Sequence, residues 1–104
     1  MTAVKYHQAA EDELLNEVGY LETRVPGLGR RLLADIRKAE NLIAQFPESG
    51  REILPGIRRH NLPRFPFSLI SSVENDGLLI LAVAHHRRRP RYWLNRASES
   101  NDQP

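Results

Sequence analysis

The residues best equipped for chemistry stand together near the C-terminal end: His85-His86-Arg87-Arg88-Arg89-Pro90-Arg91-Tyr92-Trp93. Four arginines fall within five positions, beside two imidazoles and two aromatic rings. Guanidinium forks grip phosphate oxygens, aromatic faces stack on unpaired bases, and imidazole or phenol groups can transfer protons. This combination suits a polyanion such as RNA. The plainer reading is a solvated basic turn whose aromatics fold back onto the core. Packing is the favoured reading for Trp93, since a lone Trp in a small domain is usually buried. For the arginines it is disfavoured, because adjacent like charges repel and call for compensation.

A second basic set, Arg58, Arg59 and Arg64, lies on or just after a predicted strand. Successive strand residues face opposite sides, so Arg58 and Arg59 cannot line one surface together. Either Arg58 or Arg59, with either His85 or His86, would share a face of a sheet. Adjacent histidines diverge in the same way, and with no cysteine and no nearby Asp/Glu triplet a metal site is not expected. Neither a G-x-S-x-G nucleophile element nor a Gly-rich phosphate loop is present. No cofactor is expected.

The supporting frame is 104 residues long, with 15 Lys+Arg against 13 Asp+Glu and a net charge of +2. That balance hides a split. Residues 1–50 sum to −2 and residues 51–104 to +4, and all but two of the cations are arginine. The length predicts one domain, over residues 1–96, followed by a polar tail at 97–104 expected to fray. The absence of cysteine excludes disulfides and thiolate chemistry and fits a reducing compartment. The N-terminal stretch lacks the apolar core of a signal peptide, and no segment is apolar enough to suggest a membrane span, so a cytoplasmic domain without membrane contact is expected.

Hydrophobic spacing positions the elements. Residues 2–6 alternate weakly and predict a first strand. Ala10, Leu14, Val18, Leu21 and Val25 recur at helical period, and Pro26-Gly27 ends that helix. A second stripe runs through Leu28, Leu32, Ile36, Ala39, Ile43 and Phe46, stopped by Pro47. The acidic residues of the first helix read as a solvated, dipole-matched face. Ile57–Leu62, bracketed by prolines, predicts a strand at a sheet edge. Phe67–Val73 alternates, Asn75-Asp76-Gly77 marks a hairpin turn, and Leu78–Ala84 is an unbroken apolar run expected to be the central strand. The fold class is α+β in the order β-α-α-β-β-β: a helical hairpin packed on a small, mainly antiparallel sheet.

This order resembles the RelE/ParE superfamily, toxins of bacterial type II toxin–antitoxin systems. So do the phrases Phe46-Pro47-Glu48-Ser49-Gly50, Ile57-Arg58-Arg59, Arg64-Phe65-Pro66-Phe67 and the stretch from Leu81 to Trp93. The resemblance spans roughly residues 3 to 96. RelE-like members cleave mRNA on the ribosome without a metal, through attack of the ribose 2′-hydroxyl on the adjacent phosphate. ParE-like members inhibit DNA gyrase and need no nuclease site. By position, Arg58 and Arg59 match basic strand residues of the nucleases. His85, His86, Arg87 and Arg88 match their basic final-strand segment, and Tyr92 lies near their C-terminal tyrosine. One departure stands out: Phe67-Ser68-Leu69 occupies a place where several nucleases carry an arginine.

What the resemblance implies is a growth-inhibiting toxin held in check by a cognate antitoxin, with RNA cleavage narrowly favoured over gyrase inhibition. In the nuclease reading His85 or His86 and Tyr92 are the acid and base, Arg58, Arg87 and Arg88 stabilise charge on phosphorus, and Arg59, Arg64, Arg89 and Arg91 hold nucleic acid. The partners are then ribosome and mRNA; in the alternative, gyrase. A third reading is a non-toxic remnant that only sequesters antitoxin. The antitoxin is expected on apolar surface near Leu14, Val18, Leu28 and Leu32, unless those four side chains are internal core.

Overall fold

The computed structural model describes residues 2–101. A short strand β1 (Val4–Tyr6) leads into helix α1 (Gln8–Arg24) and helix α2 (Leu28–Gln45). Strands β2 (Arg51–Leu54), β3 (Ile57–Asn61), β4 (Phe67–Glu74) and β5 (Gly77–His85) follow, and helix α3 (Leu94–Asn101) closes the described chain. The sheet order is β1-β5-β4-β3-β2. β1 runs parallel to β5, and every other pairing is antiparallel.

The helical hairpin is built by local chemistry. His7 caps α1 by accepting the Ala9 N–H at Nδ1, 3.1 Å away. The chain turns at Gly27, whose φ of 90° lies in the left-handed region. No side chain at the cap position closes α2; Glu22 reaches across from α1 instead, accepting from Gly27 N at 2.8 Å and Arg30 N at 3.3 Å. Those N–H bonds, Gly27 foremost, hold the Glu22 carboxyl below its usual range. At Gly29 the helices nearly touch: a Cβ there would lie 2.3 Å from the Val18 carbonyl oxygen.

Two cores flank the sheet. The hairpin side gathers Ala10, Leu14, Leu32, Ile36 and Ile43 against Leu62, Phe67, Leu69, Leu78, Ile80 and Val83. The opposite side gathers Ile57, Ile70, Leu81, Ala82 and Ala84 under Trp93. Each fully buried Leu or Ile contributes about 1.5–3 kcal/mol over its exposed state. A bulge explains how the apolar run of β5 serves both. Ile70 pairs with Ala82 but Ser71 pairs with Ile80, so Leu81 is the extra residue. Leu81 and Ala82 therefore both join the α3-side core, while Ile80 and Val83 serve the hairpin side.

Three expectations are corrected. The apolar run of β5 is not the central strand: β4 holds the middle of the five, and β5 lies between it and the short β1. β3 is not at the edge: Arg51–Leu54 forms β2 outside it, through a turn at Pro55-Gly56 with Gly56 at φ 76°. The four residues between Gly50 and Pro55 carry two charges, which masked their strand character. The polar segment expected to fray from residue 97 is instead helical to Asn101, because Trp93 and Ala97 anchor α3 on the sheet; residues 102–104 lie outside the described range. Among the described residues no helix is long and apolar enough to cross a membrane.

Candidate functional surface

Where the chain leaves β5, its two adjacent histidines go to opposite faces. His85 stays on the hairpin side, its ring edge-on to Phe67 at 5.1 Å, and its Nδ1 accepts the Arg87 N–H at 3.0 Å. His86 turns to the α3 side, where its Nε2 lies 3.0 Å from Ser68 Oγ. The Ser68 hydroxyl donates to Asn61 Oδ1 at 2.5 Å, so the His86 Nε2 is the donor in this series of hydrogen bonds. The pairing of Arg59 with Ile70 puts Arg59 on this same open face. Thus Arg59 and His86 share a surface, while Arg58 and His85 share the other.

Arg58 fastens the loop before β2. Its Nη1 donates to the carbonyls of Glu48 at 2.7 Å and Gly50 at 3.1 Å. Arg64 grips Asp35 of α2 through Nε at 3.1 Å and Nη2 at 2.7 Å. The hydrogen bonds from Arg64 hold the Asp35 carboxyl below its ordinary range, and Asp35 raises Arg64 in return. Arg88 lies over the Tyr92 ring, 4.0 Å from guanidinium carbon to ring centre, and 3.7 Å from Glu13 Oε2. Arg87, Arg89 and Arg91 are exposed and have no ion-pair partner among the described residues.

Tyr92 belongs to a node that sequence reasoning missed. Its hydroxyl donates to Glu13 Oε2 at 2.8 Å, and Arg96 of α3 grips the same carboxylate at 3.0 and 3.1 Å. Glu13 Oε1 also accepts from Val83 N, and Arg96 Nη1 donates to Leu81 O. These contacts satisfy the outer edge of β5 beyond the end of β1, which pairs only with Leu78 to Ile80. Burial, then the Glu13 contact, pushes the Tyr92 phenol well above its ordinary value. A phenol so held does not ionise near neutral pH.

The sequence pattern places Glu13 on a solvated acidic face and gives no role to Asp35 or Arg96. A signal existed for the acids. Glu13 falls three residues after Ala10, and Asp35 three after Leu32, so each sits on its helix's buried stripe. The expected antitoxin residues are corrected in part: Leu14 and Leu32 are internal, packed onto the sheet, and Val18 and Leu28 are half-buried. Among the described residues no three His, Asp or Glu side chains cluster as a metal site.

The model of the ParE toxin of the type II toxin–antitoxin system parDE matches residues 4–90. The chain belongs to that family. It is a toxin component of a type II toxin–antitoxin system, which implies an antitoxin as partner. A solved structure described as the chromosomal ParDE TA system from P. aeruginosa superposes with a TM-score of 0.71 at 24% identity, covering 82% of this chain and 96% of that one. The shared fold is the helical pair on a mixed five-stranded sheet. Comparison with curated protein sequences gives no match.

Within this ParE frame the sequence-predicted groups fall into three places. Arg58, Arg64, Arg88 and Tyr92 are engaged in internal contacts; Arg59, Arg91 and His86 occupy the open face; His85 lies on the hairpin side.

Proposed function

We propose that this toxin arrests growth by binding DNA gyrase rather than by cutting RNA. The observation that carries the reading is the Tyr92 hydroxyl, committed to Glu13 while His85 and His86 diverge to opposite faces. Cleavage by an acid–base pair requires both groups within hydrogen-bond reach of one phosphate. Here the acid–base candidates do not converge, and Phe67-Ser68-Leu69 supplies no arginine where, by the resemblance, several nucleases carry one. In the gyrase reading no proton need be moved, and the exposed Arg59, Arg87, Arg89 and Arg91 with His86 serve as a contact surface.

The antitoxin, in the same proposal, covers the cleft of about 600 Å³ between the hairpin and the loop before β4, lined by Tyr20, Leu21, Leu28 and Phe65. Tyr20 is 55% exposed and offers a large apolar face there. This keeps Leu28 of the expected set and replaces the buried Leu14 and Leu32.

The deciding experiment places the purified chain in a gyrase supercoiling assay and, separately, with mRNA-programmed ribosomes. The expected result is loss of supercoiling with intact mRNA. Cleaved mRNA with undisturbed supercoiling overturns the proposal. Unimpaired growth on expression of soluble protein would point to a remnant that only sequesters antitoxin.

A further inference from the structure

We propose that Arg51, Arg59 and Arg91 form a phosphate-binding pocket on the open face of the sheet. The three come from β2, β3 and the segment after β5, and they line one cavity of about 330 Å³ with Glu52, Pro90 and Trp93. Arg51 and Arg59 are direct partners across the β2–β3 ladder, so their side chains leave the same face. Like charges placed directly opposite destabilise a sheet. The partnered arginines of this chain, Arg58, Arg64, Arg88 and Arg96, are each engaged by carbonyls or a carboxylate. Among the described residues Arg51, Arg59 and Arg91 have no such partner. Glu52, the one acid on the wall, turns its Oε2 toward the Gly56 N–H at 3.4 Å.

Backbone geometry points the same way. Arg91 is the one non-glycine residue with positive φ among those described, at 59°. Holding a long side chain in the left-handed region carries a cost, and such costs concentrate where position matters for binding. Here it sets Arg91 on the cavity wall beside Trp93, which is only 3% exposed and forms an apolar backing. A low-dielectric wall strengthens the field of three cations that outnumber the single Glu52 carboxylate inside the concavity.

The ligand chemistry follows from the donors. One guanidinium fork already satisfies a planar carboxylate. Three forks from three segments match a tetrahedral phosphate, whose oxygens point in several directions at once. The source of that phosphate is either a small phosphorylated compound or the backbone of a nucleic acid. The site stands whichever macromolecule the toxin targets.

Trp93 is the sole tryptophan of the chain and lines this pocket, so its emission carries no signal from another indole. The full chain is titrated at constant ionic strength with inorganic phosphate and with a short 5′-phosphorylated single-stranded oligonucleotide. A saturable change in Trp93 emission is expected. Arg59→Ala and Arg51→Gln should each weaken binding tenfold or more, and so should Arg91→Gly, which removes the guanidinium while relieving the backbone. Arg37→Ala, on the exposed side of α2, should leave it unchanged. Much tighter binding of the oligonucleotide assigns the site to a nucleic-acid backbone, and equal affinities assign it to a small phosphate compound. No saturable response to either probe overturns the proposal. So does a response indifferent to Arg51 and Arg59, or an oligoglutamate peptide that competes better than phosphate. Neither gyrase nor ribosome is present, so a negative result leaves the gyrase reading untouched.

Discussion

Glu13 of α1 and Arg96 of α3, 83 residues apart, are joined by two hydrogen bonds of 3.0 and 3.1 Å, with both side chains less than 15% exposed. The pair ties a helix of the hairpin layer to the helix on the opposite face, passing around the free edge of β5. Desolvating two charges is costly, and the geometry offsets it with further partners: Tyr92 and Val83 complete the carboxylate, and Leu81 O takes another Arg96 proton. Removing one partner leaves the other stranded.

Arg96→Ala should therefore destabilise the protein by about 2–3 kcal/mol, through loss of a charge-assisted bond and exposure of an unpaired buried acid. Urea denaturation measures it. The emission of Trp93 should also shift red in the folded state as α3 loosens. A change below about 0.5 kcal/mol, the range of an ordinary surface substitution, would show that the pair holds nothing.

Tyr92→Phe removes one neutral donor to Glu13 and should cost only about 1 kcal/mol. Growth arrest at matched soluble expression should persist, since the phenol transfers no proton in the proposed activity. Were Tyr92 a general acid or base, the same substitution would reduce activity by about 10²–10⁴-fold. A growth curve after induction separates the two.

Gly29→Ala tests the closest approach in the hairpin. The new Cβ would meet Val18 O at 2.3 Å and the Glu22 side chain at about 3.0 Å, and backbone cannot move aside cheaply. An overpacking cost of about 1–3 kcal/mol is expected, seen as a lower Tm. Gly19→Ala, with open space around it, serves as the control and should not lower Tm.

His60 supplies a pH dependence. It is buried on β3 with Ser71 Oγ at 3.1 Å from Nε2, and burial, with the Arg58 charge second, lowers its pKa below 6.5. The folded protein keeps the imidazole neutral while the unfolded chain takes up a proton as pH falls past its own value. This contribution to stability is whole above the unfolded pKa and is lost on descent toward the depressed folded one. His60→Gln should flatten the fall in Tm between about pH 7 and pH 5 relative to wild type. An identical slope in both proteins would rule out His60 as its source.

Much of this molecule is written in its hydrophobic period. The stripes through Ala10–Val25 and Leu28–Phe46, the hairpin signal Asn75-Asp76-Gly77 and the apolar run Leu78–Ala84 locate the helical hairpin and the β4–β5 hairpin, because burial of one face imposes spacing on the chain. That the middle place falls to β4 and not to the apolar run was not legible. The Arg and His cluster was legible as a group by residue type alone. β2 was not, since an outer strand needs little apolar surface and Arg51-Glu52 hides it. Side-chain direction was not legible either. The bulge at Leu81 and the register of β3 on β4 decide that Arg59 and His86 share the open face while Arg58 turns back to fasten a loop. Long-range partners were the least legible of all. Nothing local in the chain says that Glu13 meets Arg96, that Asp35 takes Arg64, or that Arg51 faces Arg59. Those pairings exist only once strands and helices distant in sequence are brought within a few ångströms, and they determine which charges are neutralised and which are left to meet a ligand.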